Sequence, residues 1–316
     1  MGKVALVFPG QGAQYVGMAN DIYENDDIAR KVIDEAENSV GIELKKIMFE
    51  GSEEELSKTE NTQPAIVTHS VALLESLKSR IDLKYDACLG LSLGEYSALV
   101  AADAIDFKDA VAVVKKRGKY MQESVPLGKG TMAAILGLDR DKVKGVINEI
   151  DNGIIEVANY NSPGQIVVSG ETETVKESID LFKENGAKRA VMLNVSAPFH
   201  SSMLKPAGQK LRKELDSVKL KKCKVSVVAN VNADYYSDDY KDLLVNQVSS
   251  SVLWEDSISK LIDEGFDTFI EIGPGKTLKA FIKKISTKKK VTTNVYNIEN
   301  MESMNDFIEI YKRGEI

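Results

Sequence analysis

The sequence predicts an α/β protein in which a mostly parallel sheet is covered by helices on both faces and interrupted by a small α+β unit. Short continuous apolar runs end in turn residues, as in VALVFPG at 4–10, which is typical of strands buried on both faces. These runs alternate with longer helical stretches, the order that a parallel sheet requires. With 316 residues, 43% of them hydrophobic, the chain can bury a large core.

The first part of the chain supplies the first strands and helices of this sheet. Helical stretches are predicted at about 26–40 and from Gln63 to about residue 78. YDACLG at 85–90 is a short apolar strand, and SLGEYSALVAAD directly after it is a helix with Glu95 in its first turn, where the helix dipole favours an acid. Asp106 opens a further helix that ends before Pro126.

The middle of the chain has a different order of elements. A strand (TMAAILGL), a helix, two strands separated by Ser162-Pro163-Gly164, a second helix and a strand running to VMLNVS follow one another. This β-α-β-β-α-β order predicts a ferredoxin-like subdomain over 128–196. The large α/β subdomain is then discontinuous, formed by 1–127 and 197–316.

The last part returns to alternating helices and strands. Helices are predicted at 201–216, at 239–264, after the strand at 268–273 and at the C-terminus, with further strands at 224–231 and 291–298. A cleft between the large and small subdomains is the expected ligand site.

Composition excludes several classes of function. The net charge of −7 argues against binding to nucleic acid or to an anionic membrane surface. No stretch approaches the roughly eighteen uninterrupted apolar residues of a membrane-spanning helix. The two cysteines, Cys88 and Cys223, lie far apart in apolar runs and are expected to be reduced thiols. We therefore expect a cytoplasmic protein, a monomer, with no metal site.

The stretch GLSLGE at 90–95 is the first candidate for chemistry. A serine flanked by glycines at two residues on either side, between a strand and a helix, is the pattern of the nucleophile elbow of α/β-hydrolase-like sheets. Gly90 and Gly94 permit the tight turn, Ser92 projects from it, and the Leu93 N–H at the start of the helix faces any oxyanion formed there. A tight structural turn is the alternative interpretation.

A nucleophilic serine needs a general base, and the sequence contains only two histidines. His69 lies on a helix crowded with aliphatic residues, which is typical of a structural histidine. His200 lies in the loop SAPFHSSML at the predicted junction of the two subdomains and is the candidate base. SAPFHSSML contains no acidic residue, so the group that orients His200 stays open from pattern alone.

Several segments together resemble the malonyl-CoA:acyl-carrier-protein transacylases and the related polyketide acyltransferase domains. They are FPGQGAQYVGM (8–18), TQPA (62–65), GLSLGEYSAL (90–99), RGKYMQE (117–123), NSPGQIVVSG (161–170), FH (199–200) and IGPGKTL (272–278). These segments span nearly the whole chain, and the inserted ferredoxin-like subdomain also agrees with the family.

The resemblance implies further site residues. Gln11 would supply a backbone N–H that completes the oxyanion hole with Leu93, and Arg117 would bind the carboxylate of a malonyl group through two parallel hydrogen bonds. The backbone carbonyl of Gln247 would orient His200. Met121, four residues after Arg117 on the same helix face, is a candidate for the pocket wall, with core packing as the alternative.

The implied function is transfer of the malonyl group from malonyl-CoA to the phosphopantetheine thiol of acyl carrier protein, by a ping-pong mechanism through a malonyl-serine, for fatty acid synthesis. No bound cofactor is expected; the partners are the coenzyme A thioester and acyl carrier protein. Phe199 would exclude an α-methyl group. Five lysines could form a docking face for the acidic carrier, with an ordinary solvated face as the alternative: Lys283, Lys284, Lys288, Lys289 and Lys290.

The chain departs from the family at Leu91, where a histidine usually precedes the serine. Because the family's base matches His200, we expect Leu91 to affect the pocket lining and the rate rather than the mechanism. Two other classes of function remain open: a serine hydrolase or thioesterase using the same elbow, and a non-catalytic module that binds carrier protein.

Overall fold

The computed structural model describes residues 2–314 and contains two sheets. The first half of the chain forms β1 (Lys3–Phe8), α1 (Asn20–Asn25), α2 (Asp27–Val40), α3 (Leu44–Phe49), α4 (Glu53–Ser57), α5 (Thr59–Arg80), β2 (Ala87–Gly90), α6 (Gly94–Ala101) and α7 (Phe107–Glu123). The small unit contains β3 (Gly130–Leu136), α8 (Arg140–Asn148), β4 (Ile155–Ser162), β5 (Gln165–Glu171), α9 (Thr172–Glu184) and β6 (Arg189–Met192).

The remainder begins with a 3₁₀ turn at Ser202–Leu204. It continues with α10 (Lys205–Asp216), β7 (Ser226–Val228), α11 (Tyr240–Gln247), α12 (Trp254–Asp263), β8 (Phe266–Ile272), α13 (Thr277–Lys289), β9 (Asn294–Ile298) and α14 (Met301–Lys312).

The larger sheet is parallel throughout, with the strand order β7-β2-β1-β8-β9. Residues Ala5, Leu6, Val7 and Phe8 of β1 are all completely buried. Because successive side chains of a strand point to opposite faces, Leu6 and Phe8 pack into one apolar core while Ala5 and Val7 pack into another. The continuous apolar runs of the sequence therefore reflect a sheet that is covered on both faces.

The smaller sheet is antiparallel, with the order β4-β5-β3-β6, and α8 and α9 supply side chains to its own core around Phe182. These elements lie at Gly130–Met192, within the predicted range of 128–196. The α/β fold class with an inserted antiparallel unit is confirmed; the exact division into two subdomains stays a prediction.

The predicted helix over 239–264 is wrong, since the structure has two helices, α11 and α12, separated by the segment 248–253. The three serines and two valines of that segment are weak helix formers, and the small sheet binds the backbone there instead. Val252 N donates to Ala158 O at 2.8 Å, and Tyr160 N donates to Val252 O at 2.9 Å. This break ends α11 at Gln247.

Other boundaries also differ from the predictions, and two of them lie close to the cleft. The helix predicted from Gln63 begins at Thr59, and the strand predicted through VMLNVS ends at Met192. Beyond Met192 the chain leaves the sheet, and the stretch from Leu193 to Ser196 lines a cleft between the two sheets. Among residues 2–314, no helix is both long and apolar enough to cross a membrane.

Candidate active site

The cleft lies at the carboxyl ends of β1 and β2, near the middle of the parallel sheet. It has a volume of about 1430 Å³. The β1–β2 pairing places Phe8 beside Gly90, so the turns that follow these two strands are neighbours. Ligands of open parallel sheets bind at such carboxyl ends, near the point where the strand order reverses. Asn159 and Asn161 of β4 complete the wall from the small sheet.

Ser92 lies on the sharp turn between β2 and α6. Its φ angle of +52° is unusual for a residue that is not glycine, and such strain is typical of a nucleophile elbow. A Cβ on Gly90 would lie 1.9 Å from the backbone carbon of Gly94, and a Cβ on Gly94 would lie 2.2 Å from Phe8 O. Both glycines are therefore required sterically, because the turn is folded against itself and against β1.

Ser92 and His200 are 108 positions apart in the sequence and meet in the cleft. Ser92 Oγ lies 2.7 Å from His200 Nε2, and His200 Nδ1 lies 2.8 Å from the main-chain oxygen of Gln247. That oxygen can only accept a hydrogen bond, so Nδ1 carries the hydrogen and Nε2 is left as the acceptor for the serine hydroxyl. The geometry is that of a Ser–His pair oriented by a carbonyl.

The main-chain oxygen of Gln247 can accept a hydrogen bond from His200 because Gln247 is the last residue of α11. The final carbonyls of a helix have no intrahelical partner. The break between α11 and α12 that the sequence interpretation missed thus produces the orienting group. The sequence pattern gave no sign of this carbonyl; only the resemblance pointed to Gln247.

His200 is buried and is neutral near pH 7. Burial, and then the positive charge of Arg117, lower the pKa of His200 to about 4. A neutral imidazole with a free Nε2 can accept a proton from Ser92, as general-base catalysis requires. His69, in contrast, is completely buried within α5 and does not line the cleft.

Arg117 reaches the same serine from α7. The guanidinium is almost completely buried, and its Nη2 donates to Ser92 Oγ at 3.1 Å and to Gln247 Oε1 at 2.9 Å, while Nη1 donates to Gln63 Oε1 at 2.8 Å. Burial lowers the pKa of Arg117, but a guanidinium stays charged at any physiological pH. The cleft therefore holds one fixed positive charge beside the serine.

Gln11 and Leu93, the residues predicted to form the oxyanion hole, line the cleft on adjacent turns. The hydrogen bonds of the described residues use the N–H groups of Leu91, Ser92 and Gly94 but not those of Gln11 and Leu93. A Cβ on Gly10 would lie 2.4 Å from Leu91 O, so the backbone before Gln11 packs directly on the elbow. Two free amides are thus available near the serine.

The remaining predicted residues, Leu91, Met121 and Phe199, also line the cleft. Leu91 lines the cleft and packs against the apolar core, and its N–H donates to Phe8 O at 3.0 Å. Met121 and Phe199 are buried and also line the cleft, so packing and pocket lining are compatible. Within 2–314, no group of three or more His, Cys, Asp or Glu side chains could hold a metal ion.

A buried polar network that no sequence pattern indicated lies beneath the elbow. Asn230 follows β7; its Oδ1 accepts from Ser92 N at 2.6 Å, and its Nδ2 donates to Gly90 O at 2.7 Å. Glu95 is completely buried and accepts from Asn230 N and from Gln247 Nε2, both at 2.9 Å. The polar residue after an apolar strand in VVANV was the one available signal for Asn230.

Burial raises the pKa of Glu95 to about 7, although its hydrogen bonds with Tyr236, Gln247 and Asn230 oppose that shift. The helix dipole therefore explains why an acid is favoured in the first turn of α6, but it does not explain why Glu95 is buried.

Gln63, the partner of Arg117, lies in the TQPA stretch that carries part of the family resemblance.

The combination of a parallel sheet, a strained serine elbow and a serine–histidine pair defines a serine-dependent acyl-transfer or hydrolytic enzyme. Residues 5–306 match the family described as "Acyl transferase domain". The chain therefore belongs to the acyl transferase family.

Within that family, the chain is similar to proteins named malonyl CoA-acyl carrier protein transacylase. The Bacillus subtilis protein of that name is 47% identical over 306 residues, which cover 96% of each chain. The crystal structure of the Clostridium perfringens transacylase matches with a TM-score of 0.94 at 43% identity, over 99% of this chain and 98% of that one.

A malonyl-transacylase solved in complex with a type II PKS acyl-carrier protein matches with a TM-score of 0.92 at 37% identity, over 96% of this chain and 97% of that one. The family resemblance inferred from the sequence is confirmed by these matches.

Proposed function

We propose that this acyltransferase moves the malonyl group of malonyl-CoA onto the phosphopantetheine thiol of acyl carrier protein, for fatty acid synthesis, through a malonyl ester of Ser92. The observation that carries the proposal is the meeting of Ser92, His200 and Arg117 in one cleft. The serine–histidine pair supplies acyl chemistry, and the buried arginine supplies recognition of an acyl group that bears a carboxylate.

In the first half-reaction, Ser92 Oγ attacks the thioester carbon while its proton passes to His200 Nε2. The N–H groups of Gln11 and Leu93 stabilise the negative oxygen of the tetrahedral intermediate. The C–S bond then breaks, and coenzyme A leaves as its thiol with the proton from His200. The Arg117 N–H that donates to Ser92 Oγ further favours the serine oxygen as it becomes negative.

In the second half-reaction, the thiol of the carrier's phosphopantetheine group gives its proton to His200, and its sulfur attacks the malonyl ester. The C–O bond breaks, and Ser92 recovers its proton from His200. Because coenzyme A and the carrier present the same thiol-terminated arm, one cleft can serve both in turn. The names of the relatives, malonyl CoA-acyl carrier protein transacylases, support this choice of donor and acceptor.

The malonyl carboxylate is proposed to bind Arg117. A charged side chain this deeply buried needs compensation, and in the described residues its guanidinium has amide and hydroxyl acceptors but no carboxylate within hydrogen-bond distance. The Nε of Arg117 is likewise buried without an acceptor. A malonyl carboxylate would supply the missing negative charge.

The test is a two-step labelling experiment. The protein is incubated with malonyl-CoA that carries a labelled malonyl group; the modified residue is located by mass spectrometry; and a carrier protein bearing phosphopantetheine is then added. We expect the label on Ser92 and its transfer to the carrier. Ser92→Ala should abolish labelling, whereas Ser97→Ala, on the next turn of α6, should retain it.

The other classes of function give different results. Release of the label as free malonate at a rate matching its loss from Ser92 would indicate a hydrolase. A carrier that binds without any labelling of Ser92 would indicate a non-catalytic binding module. Either result would overturn the proposal.

A further inference from the structure

Beneath the candidate site, one buried carboxylate joins the elements that carry the reacting groups. Glu95 is completely buried, and the same oxygen, Oε2, accepts from Asn230 N and from Gln247 Nε2, each at 2.9 Å. Its other oxygen accepts from the Tyr236 hydroxyl. Burying a carboxyl group away from solvent costs free energy unless it is hydrogen-bonded, and these three donors offset that cost.

The amide of Gln247 is the link between this carboxylate and the cleft. Its Nε2 donates both to Glu95 and to Ser92 O, and its Oε1 accepts from Arg117 Nη2. Because an amide's oxygen and nitrogen are chemically different, the two donations of Nε2 decide which way the side chain faces. The oxygen is thereby directed at Arg117 rather than away from it.

We propose that Glu95 is a positioning residue, which fixes the Gln247 side chain so that this one residue orients both Arg117, through Oε1, and His200, through its main-chain oxygen. The inference rests on the proposed function, because the effect on Arg117 is measured as the rate at which malonyl-CoA loads Ser92. Without Glu95, the Gln247 amide can turn over and present N–H groups to a guanidinium that has only donors.

Two substitutions separate hydrogen bonding from charge. Glu95→Met has a similar volume but no acceptor, so it removes the anchor without opening a large cavity. Glu95→Gln has an amide oxygen that can accept from Asn230 N and Gln247 Nε2, and an NH₂ group that can donate to the Tyr236 hydroxyl oxygen. The glutamine variant therefore keeps the acceptor for Asn230 and Gln247, reverses the hydrogen bond with Tyr236 and removes the charge.

The measurement compares two reactions of Ser92. Loading from malonyl-CoA uses Ser92, His200 and Arg117. A fluorophosphonate probe has no carboxylate, so its reaction with Ser92 does not depend on carboxylate binding by Arg117. For Glu95→Met, we expect malonyl loading to fall about 10- to 100-fold, the range for a buried hydrogen-bond donor left without its partner. Fluorophosphonate labelling should fall by a smaller factor, and Glu95→Gln should load malonyl within about threefold of wild type.

A double-substitution cycle tests whether Glu95 acts through Gln247. Gln247→Leu keeps the main-chain oxygen for His200 but removes the amide, so it should reproduce the loss seen in Glu95→Met. The double variant should be no slower than the slower single variant. If Glu95→Met does not fold, Gln247→Leu still tests whether malonyl loading needs the Gln247 amide.

The matched control is Asp26→Asn. Asp26 is another buried carboxylate with several donors and an arginine partner, Arg80, but it lies outside the cleft wall. Its substitution should lower the melting temperature and leave both labelling rates of the folded protein unchanged.

The inference is overturned if the folded Glu95→Met protein loads malonyl at the wild-type rate, if Glu95→Gln is as slow as Glu95→Met, if both probes slow equally, or if the cycle is additive. A wild-type protein that reacts with fluorophosphonate but not with malonyl-CoA would instead refute the proposed function.

Discussion

At the residue scale, the candidate site depends on side chains whose chemistry is set by their surroundings. A serine hydroxyl alone is a weak nucleophile, and Ser92 Oγ lies 2.7 Å from the neutral imidazole of His200, which can accept its proton. His200 is neutral because it is buried beside the cation Arg117. The sequence was sufficient to select both residues, since the elbow pattern marks the serine and only two histidines were available. It could not show that Arg117 contacts Ser92 itself, because that contact joins α7 to the turn after β2.

Arg117→Ala should lose the preference for malonyl-CoA. Without the guanidinium, a malonyl carboxylate would be buried without a partner, so we expect malonyl loading of Ser92 to fall about 100-fold and loading from acetyl-CoA to fall less or to rise. Competition between labelled malonyl-CoA and acetyl-CoA measures the ratio. Arg117→Lys should not restore it, because an ammonium cannot replace the planar pair of donors. An unchanged ratio in Arg117→Ala would exclude Arg117 as the carboxylate site.

The loading rate should depend on pH through His200. Because its pKa is lowered to about 4, the imidazole is unprotonated from pH 8 down to about 5, and the rate should decline only as the pH falls towards 4. Removing Arg117 removes one cause of the lowering, so the acidic limb of Arg117→Ala should move to higher pH. Brief pH jumps, with circular dichroism as a check on folding, provide the measurement. A limb near pH 6.5 in the wild type would contradict this picture.

At the element scale, the turn between β2 and α6 and the end of α11 do most to build the site. The elbow could be predicted because glycine at two fixed positions is a local requirement that the sequence displays. The end of α11 could not, because the helical pattern continues to Asp263 and only the pairing of Val252 with the small sheet interrupts it. The physical reason is that a weak local preference for helix yields to hydrogen bonds offered by a neighbouring sheet.

Gly94→Ala should disrupt the elbow. Its methyl group would lie 2.2 Å from Phe8 O, a backbone atom that cannot move away without distorting β1. We expect a loss of about 3 kcal/mol or more in the free energy of unfolding, measured by urea denaturation, together with loss of Ser92 labelling.

The matched control is Gly145→Ala in α8, where a methyl group meets nothing within 4 Å. There we expect a gain of about 0.5–1 kcal/mol, because alanine is the better helix former. Equal stability of the two variants would contradict the steric account.

At the scale of the whole molecule, the cleft exists because two sheets with separate cores pack against each other. Val252 N–H and carbonyl bond to the backbone of β4, and Arg140 of α8 donates to Asp256 and Glu255 of α12. The guanidinium of Arg140 also lies 4.3 Å from the ring centroid of Tyr160. These contacts join the small unit to the large one, and we expect them to limit the access of water to the proposed ester.

Arg140→Ala should weaken this connection. Because Arg140 is partly exposed and Glu255 keeps Lys288 as a partner at 3.0 Å, we expect a loss of only about 1 kcal/mol in the free energy of unfolding. Free malonate should also form faster from the loaded protein when no carrier is present. Arg212→Ala, which removes a surface ion pair with Asp242, should change neither quantity measurably. A change as large in Arg212→Ala would show that the effect is not specific to the connection.

The sequence by itself determined the α/β class, the inserted unit, the serine elbow and the choice of His200, because each depends on local residue type, spacing or scarcity. The family resemblance added Gln11, Arg117 and Gln247. Only the tertiary structure decided how these residues are connected. Gln247 forms hydrogen bonds with Arg117, Ser92 and His200. Glu95 and Asn230 form the buried hydrogen bonds beneath them. The bonds of Gln247 with Arg117, Ser92 and Glu95 each link residues more than 100 positions apart, as does the bond between Asn230 and Ser92. Contacts between elements so distant in the sequence are not encoded in any local pattern.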